Sequence, residues 1–184
     1  MKTEIERRKP EGLLDYGALA VTTLGVGYLP LMPGTFGSLL GIGVYVTLAN
    51  VFRSFRYSAD LDSPELLVAA VHAVILISFL LFCLLGIWAA GRSIELLGNT
   101  DAPQAVIDEV IGQLIVFLFI PFTTSWLLVA AGFAFFRLFD IWKPYPINYL
   151  QSLPGGIGVC ADDILAGVYA GVCLAVVYAV SLSF

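Results

Sequence analysis

Two uninterrupted apolar runs, Leu66–Ala90 and Ile164–Phe184, decide what this chain can fold into. Each meets the roughly 20 apolar residues that a helix needs to cross a bilayer. Composition agrees, with 59% of the 184 residues hydrophobic, 12% charged and a mean hydropathy of +0.93. Soluble domains average about 45–50% apolar and about 25% charged. A chain of this length in water could not cover so much apolar surface, so lipid is its natural solvent. The expected fold is all-α: a polytopic membrane helical bundle with short or re-entrant helices and a membrane helical hairpin. It forms one domain over residues 13–184, behind a polar tail over residues 1–12.

The remaining apolar segments are less regular. Ser38–Phe52 is short but apolar, and is expected to span. Leu13–Leu31 contains Gly17, Gly25 and Gly27 and ends at the breaker run Leu29-Pro-Leu-Met-Pro-Gly34. It reads as a short helix lying at the membrane or partly entering it. Val106–Phe139 is too long for one ordinary helix, and Pro121-Phe-Thr-Thr-Ser125 near its middle is a turn-like cluster. One kinked helix or a hairpin of two short ones would fit. Parity separates them, because only a hairpin returns Arg137, Asp140 and Lys143 to the side of the other polar clusters. In that arrangement Lys2, Arg7, Arg8, Lys9, Arg92, Arg137 and Lys143 share one face, and only Arg53 and Arg56 lie opposite. The positive-inside rule makes the clustered face cytoplasmic and puts the C-terminus outside.

Several function classes are disfavoured. There is no basic patch for nucleic acid. Cys83, Cys160 and Cys173 are odd in number and widely spaced, so they read as small hydrophobes rather than disulfide or zinc residues. His72 is the only histidine and sits in an apolar span as a packed or interfacial side chain. Histidine nucleophiles, Ser-His-Asp triads and His-zinc sites are therefore disfavoured. No cysteine has an arginine six residues later, as a cysteine-phosphatase loop would need. Asp60-Leu-Asp62 faintly resembles an aspartate-nucleophile motif but falls on the opposite face, with no α/β domain after it. The N-terminal stretch lacks a clear A-x-A cleavage site and does not read as a signal peptide.

Four polar clusters could carry chemistry. Pro33-Gly-Thr-Phe-Gly-Ser38 offers Thr35 and Ser38 hydroxyls at a helix start, where an anion such as phosphate is favoured, although an ordinary capped turn would look the same. Asp101 with Gln104 fits a capping box. Asp108 and Glu109 are expected about two turns into the helix that follows, where neither can cap anything, and ionisable groups near lipid are costly. Arg137, Asp140 and Lys143 are spaced three apart on one helix face. They form either an interfacial ion-pair ladder, with Trp142 and Tyr145 as belt aromatics, or a metal ligand with two phosphate-binding cations. A glycine-rich loop, Pro154-Gly-Gly-Ile-Gly158, is expected to lead into Asp162-Asp163 at the start of the last helix. Either aspartate alone could be an N-cap, but two adjacent carboxylates repel unless a cation lies between them. Asp108, Glu109, Asp140, Asp162 and Asp163 together make an all-oxygen set, which favours magnesium, manganese or calcium.

In order and spacing these clusters resemble the phosphatidylglycerophosphatase A family. The residues that carry the resemblance are Pro33-Gly-Thr-Phe-Gly-Ser38, Asp101 with Asp108-Glu109, Phe136–Ile147, Gly155-Gly-Ile-Gly-Val, Asp162-Asp163 and Ala166-Gly167. They cover residues 27–171. The resemblance implies a bacterial inner-membrane enzyme that requires magnesium and removes the terminal phosphate of phosphatidylglycerophosphate, giving phosphatidylglycerol. Family members often carry histidine directly after the first aspartate of the second motif, where this chain has Ala102, so a capping role suits Asp101. On this expectation Asp108, Glu109, Asp140, Asp162 and Asp163 hold magnesium, and Thr35, Ser38, Arg137 and Lys143 steady the phosphate. The attacking group would be water or an aspartate. Membrane lipids are the other expected partners, and nothing in the sequence fixes an oligomeric state. The rival readings are a phosphatase for another lipid phosphate and a small cation transporter. The transporter would need acids near the midplane, whereas these gather at one face.

Overall fold

The computed structural model describes residues 5–58, 64–100 and 102–183, so Lys2, Asp60, Asp62 and Asp101 lie outside the described residues. Seven α-helices and no β-strand occur among them: α1 (Leu13–Thr23), α2 (Pro33–Ser58), α3 (Pro64–Leu97), α4 (Ile107–Val116), α5 (Trp126–Trp142), α6 (Ile147–Leu150) and α7 (Gly155–Ser181). The all-α expectation holds. Helices α2, α3 and α7 are long and apolar enough to cross a membrane.

Helices α2 and α3 run past the expected stretches at both ends, and α7 starts at Gly155 rather than Ile164 and stops at Ser181. The 34 residues of α3 extend about 51 Å at 1.5 Å each, well past a hydrocarbon core about 30 Å thick. Much of its apolar run is exposed and hydrophobic all round, as on a lipid-facing helix, while Cys83, Gly86, Ala89 and Ala90 toward its end are buried against the bundle. Its last turns, with Arg92, Ser93 and Glu95, carry α1. Thr22 and Ser93 share a 2.9 Å hydroxyl hydrogen bond there.

The polar tail is tied to the same end of α3. The Ile5 amide donates to the Gly98 carbonyl, the Arg8 amide to Glu95 and the Arg7 guanidinium to Leu96. Asp15, fully buried in α1, accepts from Arg8 at 2.8 and 3.1 Å, from Arg92 at 2.7 Å and from the Glu11 amide at 2.8 Å. The Arg8 guanidinium, then the Glu11 amide and Arg92, hold the Asp15 carboxyl well below the usual carboxylate range despite its burial.

Helix α4 is the hub, with buried residues around most of its circumference. Close approaches give the direction of each neighbour. A Cβ at Gly41 would meet Gln113 and one at Gly37 would meet Val106, so α2 runs parallel to α4. Gly167 meets Gly112 and Gly171 meets Phe119, so α7 is parallel as well. Gly132 meets Phe117 while Gly112 meets Phe136, so α4 and α5 pack antiparallel. Val106–Phe139 is therefore a hairpin. It turns where Pro121 and the extended Ile120 interrupt the helix, between a 3-10 turn at Phe117–Phe119 and Ser125.

The starts of α2, α4 and α7 and the ends of α3 and α5 consequently share one end of the bundle. The hairpin turn lies toward the other end, where the Tyr45 hydroxyl donates to the Thr123 carbonyl and Arg53 reaches Thr124 at 3.5 Å.

Candidate active site

Two helix registers differ from those read in the sequence, and both differences bear on the site. Asp108 and Glu109 do not lie two turns into a helix. Ala102–Ala105 closes a turn around Pro103, and the Val106 amide bonds the Thr22 carbonyl, so α4 starts at Ile107 and both acids occupy its first turn. Anionic side chains are stabilised at that end by the helix dipole. Neither caps the helix, since no side-chain cap bond forms. Conversely, Asp162 and Asp163 are not at a helix start. The glycine-rich run is no loop but the first turn of α7. Gly156 there abuts the Ile87 carbonyl and Gly91 amide of α3 so closely that a Cβ would collide with both. The two aspartates therefore lie two turns inside the helix, at 4% and 3% exposure, where neither can act as a cap.

Parallel packing of α4 and α7 brings three acids together. One carboxylate oxygen each from Asp108, Glu109 and Asp163 lies within 4.8 Å of the others. Asp108 Oδ1 and Glu109 Oε2 are buried with no hydrogen-bond partner. Three like charges at this spacing repel by on the order of 3 kcal/mol per pair at an effective dielectric near 20. Such an arrangement calls for a counter-charge, and an all-oxygen set suits a hard divalent cation. The orphaned oxygens are the observation that fits these residues to a metal.

Asp140 and Asp162 are engaged differently. Arg137 Nη1 donates to Asp140 Oδ2 at 2.7 Å and to Ser38 Oγ at 3.4 Å. Lys143 Nζ pairs with Asp162 Oδ2, which also accepts from Gln151 at 2.8 Å, and lies 3.7 Å from Asp140 Oδ1. Burial works against the Lys143 ammonium, but Asp162, Asp163 and Asp140 outweigh it and raise its pKa above the usual lysine value. Lys143 ends α5 at φ 46°, a left-handed conformation that glycine normally takes, and this bend accompanies the approach of its side chain to α7. One oxygen of Asp162, Oδ1, remains buried and unpartnered.

The start of α2 completes the site. Gly34 sits between the two groups: a Cβ there would overlap Glu109 Oε1 and stand 3.5 Å from Arg137 Nη1. Ser38 Oγ donates to the Gly34 carbonyl at 3.0 Å, whereas Thr35 Oγ1 is buried without a partner. Carboxylates, two cations and a free hydroxyl thus converge at one end of the bundle.

The profile of the family described as phosphatidylglycerophosphatase A matches residues 19–178. The chain belongs to the phosphatidylglycerophosphatase A family. The family's namesake enzymes from Escherichia coli K12 and Haemophilus influenzae are 32% and 34% identical to it, each over 91% of this chain and over 83% and 92% of their own lengths. A Bacteroides thetaiotaomicron protein, provisionally named a phosphatidylinositol-3-phosphatase, is 36% identical over 84% of this chain and 89% of its own. No solved structure matches significantly. The family is one of phosphoric monoester hydrolases, as the sequence motifs implied.

Of the nine site residues named from the sequence, the fold gathers Asp108, Glu109 and Asp163 into one cluster. Asp140, Asp162, Arg137, Lys143 and Ser38 form a linked ion-pair and hydrogen-bond set, and Thr35, next to Gly34, keeps a buried hydroxyl without a partner. His72 packs as expected, its ring 5.1 Å from Phe52 and its Nδ1 2.7 Å from the Val68 carbonyl. Sequence reading did not single out Gln151 or Gln113. The Gln113 amide lies one turn beyond Glu109, fully buried, with both of its polar atoms unpartnered. A lone amide in the apolar run Val110–Val116 was its only signal.

Proposed function

We propose that this chain removes the terminal phosphate of phosphatidylglycerophosphate in a bacterial inner membrane, with magnesium held by Asp108, Glu109 and Asp163. The observation that carries this reading is the meeting of three carboxylates, two with orphaned buried oxygens, at one end of a membrane bundle of this family. Magnesium bound there would supply Lewis acidity toward a phosphoryl oxygen and favour ionisation of attacking water.

The protein's own groups do the rest. Arg137 and Lys143 present fixed positive charge to the phosphate and to the charge that grows on its oxygens. Asp140 and Asp162 hold those two cations in place, and the unpaired Asp162 Oδ1 is available as a further ligand. Thr35 Oγ1 donates to a phosphoryl oxygen, and Ser38 aligns Arg137. Gly34 lets the Glu109 carboxylate close on the α2 backbone beside Arg137, where any side chain would displace it. The glycerol and tails remain on the lipid side. With the positive-inside bias, the site faces the cytoplasm.

Phosphate release by the purified chain from phosphatidylglycerophosphate in mixed micelles tests this reading, with phosphatidylinositol 3-phosphate as comparator. The second substrate is included because of the Bacteroides relative. A higher kcat/KM on phosphatidylglycerophosphate is expected. Preference for the inositol lipid would move the assignment to that substrate, and folded protein silent on both would reject the enzyme reading.

A further inference from the structure

Helices α2 and α3 both pack on α4 but hardly on one another, and a groove of about 580 Å³ lies between them. That volume lies within the roughly 300–1,000 Å³ of ligand pockets. Its walls are apolar: Val44 and Leu48 from α2, Phe79 and Phe82 from α3, and Val110 and Leu114 from α4. Val44 and Leu48 are partly exposed at 40% and 38%, so the groove opens sideways into the space the bilayer occupies.

Two features give the groove a direction. On α4 its lining begins at Val110, in the same first turns of the helix that carry Asp108 and Glu109. Its far end is closed by aromatic rings: His72 lies 6.0 Å from Phe122 and 5.1 Å from Phe52, and Tyr45 stacks on Phe117 at 3.9 Å. From Val110 through α4 to the hairpin turn is about 15–20 Å at helical rises of 1.5–2 Å. That is about the depth of one leaflet, half of a hydrocarbon core about 30 Å thick.

We infer that this groove holds a fatty acyl chain of the lipid whose phosphate occupies the carboxylate site, an inference that rests on the lipid-phosphatase reading above. A headgroup at Glu109 leaves its glycerol beside the first turn of α4, and the apolar path leads from there toward the far end of the bundle. The aromatic wall sets the chain length that fits. The same groove accounts for the loose packing of α2 against α3, since a tail takes the place of side chains from a neighbouring helix.

The test compares dioleoyl and dihexanoyl phosphatidylglycerophosphate in the same micelles. Leu114→Trp and Val44→Trp each fill the groove, and the ratio of long-chain to short-chain kcat/KM should fall about tenfold in either. Leu127→Trp, on an exposed part of α5 away from the groove, should leave the ratio as it is. A dioleoyl substrate carrying a mid-chain diazirine should crosslink to α2, α3 or α4 within the groove. An unchanged ratio in both groove variants, or crosslinks confined to the outer face of α5, overturns the groove while leaving the phosphatase reading intact. Wild-type protein that hydrolyses neither lipid overturns the phosphatase reading instead.

Discussion

Replacing Asp108 or Asp163 by asparagine removes one of three crowded negative charges without changing side-chain shape. Mutual repulsion falls, so folding is expected to hold or improve, while phosphate release falls by about a hundredfold or more. Near-normal turnover in both variants, with unfolding followed in detergent, would dismiss the carboxylate site. Lys143 makes the opposite case. Lys143→Met strands Asp162 and part of Asp140, and should cost about 2 kcal/mol, below the 3–5 kcal/mol for breaking a fully buried pair because the lysine is partly exposed. A thermal midpoint equal to wild type would show that pair to be dispensable. The acids themselves were legible in the sequence because charge beside lipid is costly and rarely accidental. Their division into a metal-type trio and an ion-paired duo was not, because it follows from the left-handed turn at Lys143 and from Gln151, eleven residues before Asp162.

Helix α1 and the segment before it form a strap on the emergent end of α3, held by Asp15 between Arg8 and Arg92. The lowered pKa of Asp15 means that its contribution is complete above the unfolded value near 3.9 and is lost only as pH falls through the lower folded value. The difference in unfolding midpoint between wild type and Asp15→Asn should therefore stay constant from about pH 8 to about pH 5 and shrink below about pH 4. A difference that already collapses near pH 6 would contradict this assignment. Composition marked the first residues only as a polar tail, since Glu95, which pairs with Arg8, and Arg92, which shares Asp15 with it, lie far along the chain on α3. The hairpin, by contrast, was readable from Pro121–Ser125 and from the parity of the charges. Reporter fusions should place the C-terminus opposite the Arg92 and Lys143 face, and a C-terminus on the same face would reject the topology.

As a whole molecule, the chain is three long apolar helices packed with a hairpin whose first arm, α4, is buried, and every candidate catalytic group lies at one end. Apolar run lengths and turn residues foretold that architecture, because bilayer thickness and backbone hydrogen bonding leave few alternatives. Helix starts were misplaced where glycines at close helix crossings resembled a loop and where Pro103 delayed α4. These shifts exchanged the depths of the two acid pairs, yet parallel packing of α4 and α7 still unites them. The most direct test is phosphate release from phosphatidylglycerophosphate as free magnesium is varied, for wild type and Asp163→Asn side by side, with calorimetric magnesium binding read on the same samples. Wild-type activity should vanish in EDTA and return with magnesium, and Asp163→Asn should lose both turnover and magnesium binding. Full activity in EDTA, or magnesium binding untouched by Asp163→Asn, would contradict a metal site built from these carboxylates.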